Sequence, residues 1–219
     1  MPYAEIPSLR LIRNLGGESD STSRQLARYI AEVGRTYDAG VKPMLIFRLD
    51  RYLRGGDHYS FNKEGFAAVR FTEYREDFNH EHQNIRRENG VEYGDLLKFD
   101  DFGYIAQVAR LNIATLATLA SSPGMPGNVR VVTTDLDNNT TLKWDPPSAA
   151  SGAVHYQIVW RETTANDWQF ATDAQKYGVT RENNVATLPV SKDNVFFGVR
   201  ACDELGHRSH AVAPEPERR

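Results

Sequence analysis

The chain has 219 residues, 40% of them hydrophobic and 25% charged, and its 26 Lys+Arg against 29 Asp+Glu give a formal net charge of −3. This is globular composition for one or two domains, with no overall positive field to steer it onto nucleic acid or anionic lipid. The single cysteine, Cys202, excludes an intramolecular disulfide framework and a multi-cysteine zinc knuckle, and no run approaches the roughly 18 apolar residues of a membrane span.

The opening MPYAEIPSLRLIRNLGGESD has no apolar h-region and no small-residue cleavage site, so no signal peptide is read there. The first helix is expected over Ser21 to Tyr37. Leu26, Ile30, Val33 and Tyr37 recur at helical spacing, and the cluster at 19–23 offers an N-cap. Asp38-Ala39-Gly40 ends it. Met44 to Phe47 is a continuous apolar run and reads as a strand buried on both faces. A helical turn is expected around Ser60 to Gly65, then a second strand over Ala67 to Phe71. A polar stretch follows from Glu73 to about Phe99. Asp100 and Asp101 can cap a last helix through Ser121, with Phe102, Ile105, Ala109, Asn112, Leu116 and Leu119 on one stripe. Its apolar C-terminal half predicts deep burial.

The breaker cluster Ser121-Ser122-Pro123-Gly124 with Pro126-Gly127 reads as a linker. The expected division is therefore an α/β part over 1–122, a linker over 123–127, a β-sandwich over 128–214 and a tail over 215–219. The α/β part has few strands for a layered structure. It reads as a partial, incomplete mixed sheet with flanking helices, completed by a missing segment, a second copy or another chain. The later part alternates in short segments: Val129 and Val131, Leu142 and Trp144, Tyr156 to Trp160, Ala186 and Leu188, Val195 to Ala201. About seven short strands in some 85 residues is the signature of a sandwich.

Chemistry concentrates in the polar stretch, with Asp57 and His58 before it and Glu73, Glu76, Asp77, His80, Glu81 and His82 within it. On an extended segment, His80 and His82 would face one side, and nearby carboxylates could complete a zinc site. The plainer reading of the same residues is a solvated loop with two exposed histidines. Nucleophilic catalysis has little to stand on: no G-x-S-x-G occurs, and Cys202 falls in an expected strand as an inert thiol. Gly16-Gly17 and Gly55-Gly56 are isolated pairs and read as turns, not phosphate cradles.

Residues 54–83, RGGDHYSFNKEGFAAVRFTEYREDFNHEHQ, resemble the last catalytic segment of the di-zinc aminopeptidases of peptidase family 28. The pieces carrying the resemblance are Gly56-Asp57-His58, Phe61 to Gly65, Ala68 to Glu73, Glu76-Asp77-Phe78-Asn79 and His82. The helix DFGYIAQVARLNIATLATLA resembles the family's closing helix in character, and the likeness spans roughly residues 18–121. It implies an exopeptidase acting on peptide substrates, in which two zinc ions activate a shared water and a separate Glu moves the proton. His82 stands where the family's last zinc-binding histidine stands. Asp57 and His58 match a turn that lines the site, and Glu73 and Phe78 fall at pocket-wall or supporting positions.

The family's other ligands and its general base come earlier, in a His-x-Asp, a Glu-Glu pair and a further Asp. This sequence has no Glu-Glu, and no His-x-Asp before residue 58; its histidines are 58, 80, 82, 155, 207 and 210. The resemblance therefore implies the C-terminal part of a longer aminopeptidase. No catalytic residue is assigned to this chain, and the two zinc ions are not expected to be retained by it alone.

The later part resembles fibronectin type III modules through Leu142-x-Trp144, Tyr156-x-Ile158-x-Trp160 and Phe197-x-Val199-x-Ala201 before Asp203-x-x-Gly206. Val195 stands where many such modules place a corner tyrosine. The aromatic residues are expected in the core, while Arg161, Trp168 and Arg200 are candidates for a surface patch. The competing expectation is a non-catalytic binding or structural protein that uses this sandwich for a partner. Another is a two-chain enzyme whose missing half is a separate polypeptide. Neither nucleic acid nor a membrane span is expected. The compartment is open, since the family is often exported to periplasm or medium.

Overall fold

The computed structural model describes residues 20–47, 55–148, 154–180 and 182–217. Helix α1 spans Thr22–Thr36, and Ser21 caps it by accepting from the Arg24 backbone N–H at 3.3 Å. Asp38 and Gly40, both at positive φ, turn the chain away at its end. The short helix α2 is His58–Lys63. Strands β1 (Arg86–Glu88) and β2 (Val91–Tyr93) form a two-stranded antiparallel ribbon. Helix α3 spans Phe102–Ser121, with the Asp101 carboxylate accepting from the Tyr104 N–H at 2.9 Å. All three helices lie within two residues of their expected starts.

The two strands expected over 44–47 and 67–71 do not form: both segments lie outside any sheet. An apolar run is a strand only when another strand takes its N–H and C=O groups, and no described neighbour does so here. Side chains hold the second segment instead. Ser23 Oγ accepts from the Ala68 N–H at 3.2 Å, and Asn62 Nδ2 donates to Ser23 Oγ at 2.9 Å and lies 3.3 Å from the Ala68 carbonyl. The deep burial expected of α3 also fails. Only Leu111 and Thr115 are buried, while Leu116 is 67% exposed and Ile113 66%. The core between α1 and α3 is small: Ile30, Ala39 and Leu111, with Leu26, Val41 and Val69 against it. Gly34 is part of it, because a Cβ there would meet Leu111 Cδ1 at 3.1 Å and Pro43 Cδ at 3.3 Å.

Beyond Pro126 the chain builds two packed sheets. Strands β3 (Gly127–Val131), β4 (Thr140–Asp145), β7 (Val185–Leu188) and β9 (Glu215–Pro216) make one, in the order β7-β4-β3-β9. Strands β5 (His155–Glu162), β6 (Phe170–Asp173) and β8 (Val195–Cys202) make the other, in the order β6-β5-β8. Neighbours are antiparallel except β3 and β9, which run parallel. The alternation read in the sequence points inward. Val129, Leu142, Trp144, Tyr156, Ile158, Leu188, Phe197, Val199 and Ala201 form the core. The expected tail at 215–219 needs correction. Glu215 and Pro216 pair with Arg130 and Val131, the Glu217 N–H donates to the Val131 carbonyl, and Lys143 pairs with Glu217 at 3.0 Å. Sheet edges recruit short segments because their N–H and C=O groups need partners.

Candidate functional site

His82 lies in the loop between α2 and the β1–β2 ribbon. Its φ of 54° is left-handed, so residues 80–82 bend and are not extended. That overturns the expectation of two imidazoles on one side of an extended segment. Two bonds close the loop across the ribbon: the His82 N–H donates to Asp95 Oδ2 at 2.9 Å, and the Gly94 N–H donates to the Asn79 carbonyl at 3.0 Å. Gly94 is required on two counts. Its φ is 129°, and a Cβ would strike Ile85 Cγ1 at 2.9 Å and Cα at 3.0 Å. The loop holds the His82 backbone and leaves the residue exposed.

His80 is committed elsewhere. Its ring stacks on Phe99 with centroids 3.5 Å apart, and its Nδ1 lies 2.8 Å from Asp77 Oδ2. Asp57 precedes α2 and is exposed, as are Glu73 and Phe78, while His58 is half-buried with its ring against Gly56. The Gly55-Gly56 turn is strapped to the next segment, where Arg70 Nη1 donates to the Gly55 carbonyl at 2.6 Å. Among the described residues, no group of three or more His, Cys, Asp or Glu side chains could hold a metal ion. Among the described residues, the family-like ligand position is one exposed histidine, where a catalytic zinc needs about three protein ligands. Asp95, which anchors His82, was not singled out from sequence, and its place beside Gly94 at the end of β2 was the available signal.

A second polar constellation lies where α1 meets the β6-β5-β8 sheet. Gln25, Arg28, Tyr29 and Glu32 follow each other at helical spacing and face the sandwich. Asp20 Oδ1 accepts from Arg161 Nη2 at 2.8 Å and from Arg28 Nη1 at 3.3 Å. Arg28 Nε donates to the Asn166 carbonyl at 2.6 Å, and the Tyr29 hydroxyl donates to the Arg208 carbonyl at 3.1 Å. Glu32 pairs with Arg200 at 2.8 Å and Arg208 at 3.2 Å, and Arg35 pairs with Asp167 at 3.2 Å. The Trp168 ring lies over Gly198, where a Cβ would meet it at 3.0 Å, and the guanidiniums of Arg28 and Arg161 sit 5.7 Å from that ring. Arg161 and Arg200 are thus buried in this seam and do not form the expected surface patch.

Five guanidiniums share three carboxylates in the seam. Burial, then the charge of Arg161, pull the Arg28 guanidinium down to about 10. Four buried polar atoms of the seam have no hydrogen-bond partner among the described residues: Gln25 Oε1, Arg28 Nη2, Arg161 Nε and Asp167 Oδ1. A groove of about 250 Å³, lined by Arg28, Glu32, Arg35, Trp168, Arg200 and Arg208 among others, runs along the junction. The seam joins two parts of the chain through charge and offers no nucleophile. Cys202 is buried in β8, and burial pushes its thiol up, which keeps it protonated and inert.

No family model matches the chain. It is 48% identical over 202 residues to a protein of Leptosphaeria maculans named "Probable zinc metalloprotease Lema_P086240", covering 92% of this chain and 45% of that one. It is 47% identical to a "Probable zinc metalloprotease" of Pyrenophora tritici-repentis and 44% identical to one of Pyricularia oryzae, each over 40% of the relative's length. The chain thus spans less than half of these relatives. Among solved structures it is similar to the fn3 domain of human collagen alpha-1(XX) chain, at 22% identity, TM-score 0.32, 42% of this chain and 82% of that one. It is also similar to an Fn3-like protein from Clostridium thermocellum, at 17% identity, TM-score 0.33, 45% of this chain and 98% of that one. The description of the sandwich rests on its own strand order and core, not on these likenesses.

Proposed function

We propose that this chain is the C-terminal part of a zinc-dependent exopeptidase of the aminopeptidase type, joined to a fibronectin type III-like sandwich. The observation that carries this reading is the likeness, over 92% of the chain, to longer proteins named probable zinc metalloproteases. The resemblance of residues 54–83 to the last catalytic segment of peptidase family 28 supplies the finer type. In this reading His82 is one zinc ligand of the complete enzyme, and the Asp95 bond to its backbone sets where the imidazole starts. Asp57, His58, Glu73 and Phe78 line or support the pocket of the complete enzyme.

One exposed histidine does not make a zinc site, so no catalytic step is assigned to this chain by itself. The remaining ligands and the proton-transferring group belong to the rest of the longer protein. The exposed side of α3, with Ile113 and Leu116, and the segments 41–47 and 66–73, which lie outside any sheet, are where that remainder packs. The substrate in this reading is a peptide trimmed at its end.

The test is a calorimetric zinc titration of the purified chain and of its His82→Ala variant, with hydrolysis of aminoacyl-anilides measured in parallel. The expected result is no binding at micromolar or tighter affinity and no turnover in either. Tight binding and turnover by the chain, both lost in His82→Ala, would overturn its incompleteness. In the longer protein, His82→Ala should abolish hydrolysis; unchanged hydrolysis would remove His82 from the ligand set.

A further inference from the structure

The connection between β3 and β4 carries Asn138-Asn139-Thr140-Thr141, two overlapping Asn-x-Thr sequences. Asn-x-Ser/Thr is the acceptor sequence for N-linked glycans. The fold treats the two asparagines differently. Asn138 is exposed in a bend. Asn139 is half-buried and engaged on three sides. Its Nδ2 donates to Asp137 Oδ2 at 2.9 Å, its backbone N–H donates to Asp137 Oδ1 at 3.1 Å, and its carbonyl accepts from Lys192 Nζ at 3.2 Å. Two residues before Asn138, Leu136 stands fully exposed.

We propose that Asn138, and not Asn139, carries an N-linked glycan, and that the chain is therefore handled in a compartment where such transfer occurs. This stands on the β3–β4 loop alone and does not depend on the peptidase reading. In the transfer, the Asn138 amide nitrogen bonds to the anomeric carbon of an N-acetylglucosamine carried on a polyprenyl diphosphate. The bond from that carbon to the diphosphate oxygen breaks, the diphosphate leaves with the electron pair, and the amide gives up one proton. Thr140 sets the timing. In the folded chain it is fully buried, and its hydroxyl donates to the Val190 carbonyl at 2.6 Å. The acceptor sequence is legible to a transferase only before β4 pairs with β7, and the fold then decides which product matures: a sugar on exposed Asn138 points to solvent, whereas one on Asn139 would crowd the Asp137 carboxylate that its Nδ2 meets at 2.9 Å. Afterwards the sugar projects from the bend and covers Leu136.

The experiment expresses the chain behind a cleavable secretion leader in yeast. Cell lysate and medium are blotted with and without an endoglycosidase, taking leader removal as proof of entry. The wild type should show one mobility step that the endoglycosidase removes. The step should vanish in Asn138→Gln and persist in Asn139→Gln and Thr141→Ala, whose remaining sequences still allow modification at 138. Refolded bacterial chain mixed with microsomes should stay unmodified. Leader-cleaved chain with no step would overturn the proposal. So would a step that survives Asn138→Gln and is lost in Thr141→Ala, because it would place the sugar on Asn139. Denaturing gels report these outcomes whether or not a variant folds.

Discussion

Asp20 is the one carboxylate that two buried arginines share. Its side chain is 10% exposed, and those of Arg28 and Arg161 are 1% and 2% exposed. Removing it leaves two uncompensated guanidiniums away from water. Asp20→Ala should therefore destabilise the chain by about 3 kcal/mol in urea denaturation. Asp167→Ala should cost under about 1 kcal/mol, because its partner Arg35 is half in solvent and water replaces the lost charge. Equal losses for the two would mean that burial is not what sets the strength of the seam. His210 gives a pH signature. Burial holds its imidazole below the usual histidine range, and a contact with the Ala211 carbonyl only partly opposes this. The folded state thus binds fewer protons at this site than the unfolded state. Its contribution to stability is full above the unfolded value of about 6.5 and is lost as pH falls from there through the lowered folded value. Thermal melts between pH 8 and pH 5 should show a decline that is smaller in His210→Gln; parallel declines would count against it.

Helix α1 works with two faces. Leu26 and Ile30 turn toward α3 and the small core, and that stripe was readable from spacing alone. Gln25, Arg28, Tyr29 and Glu32 form a second stripe at i, i+3, i+4 and i+7, which the spacing of the apolar residues does not announce. Nothing local separates a polar face turned to water from one turned to buried counter-charges. Helix α3 errs in the opposite direction, since its apolar composition announces burial that the described residues do not supply. The contrast is measurable. Leu111, 1% exposed between the helices, should cost about 3 kcal/mol as Leu111→Ala. Leu116→Ala should change stability by less than about 0.5 kcal/mol. A large loss at 116 in the isolated chain would mean that its side chain is covered in solution. The His82 loop was legible in part. The residue was found by resemblance, whereas its left-handed bend and the Asp95 anchor depend on the β1–β2 ribbon, whose short strands carry no alternation strong enough to announce it.

At the scale of the whole molecule, the two parts differ in how much core they own. The sandwich has eleven buried core residues, and the α1–α3 cluster has three. A piece ending at Ser122 would keep that small core while exposing the seam face of α1 to water. It should lack a cooperative thermal transition by circular dichroism. A piece spanning 123–219 should melt cooperatively, because its core is closed by its own seven strands. Cooperative melting of the N-terminal piece would refute the dependence of α1 and α3 on the seam.

The sequence by itself determined the helix starts, the caps of α1 and α3 and the inward alternation of the sandwich strands. These depend on spacing within one turn or one strand. Only the tertiary structure decided the seam, the exposure of α3 and the use of 215–216 as a strand. The partners across the seam lie 132 to 179 residues apart, and a charge shows its role only when the group that neutralises it is in place.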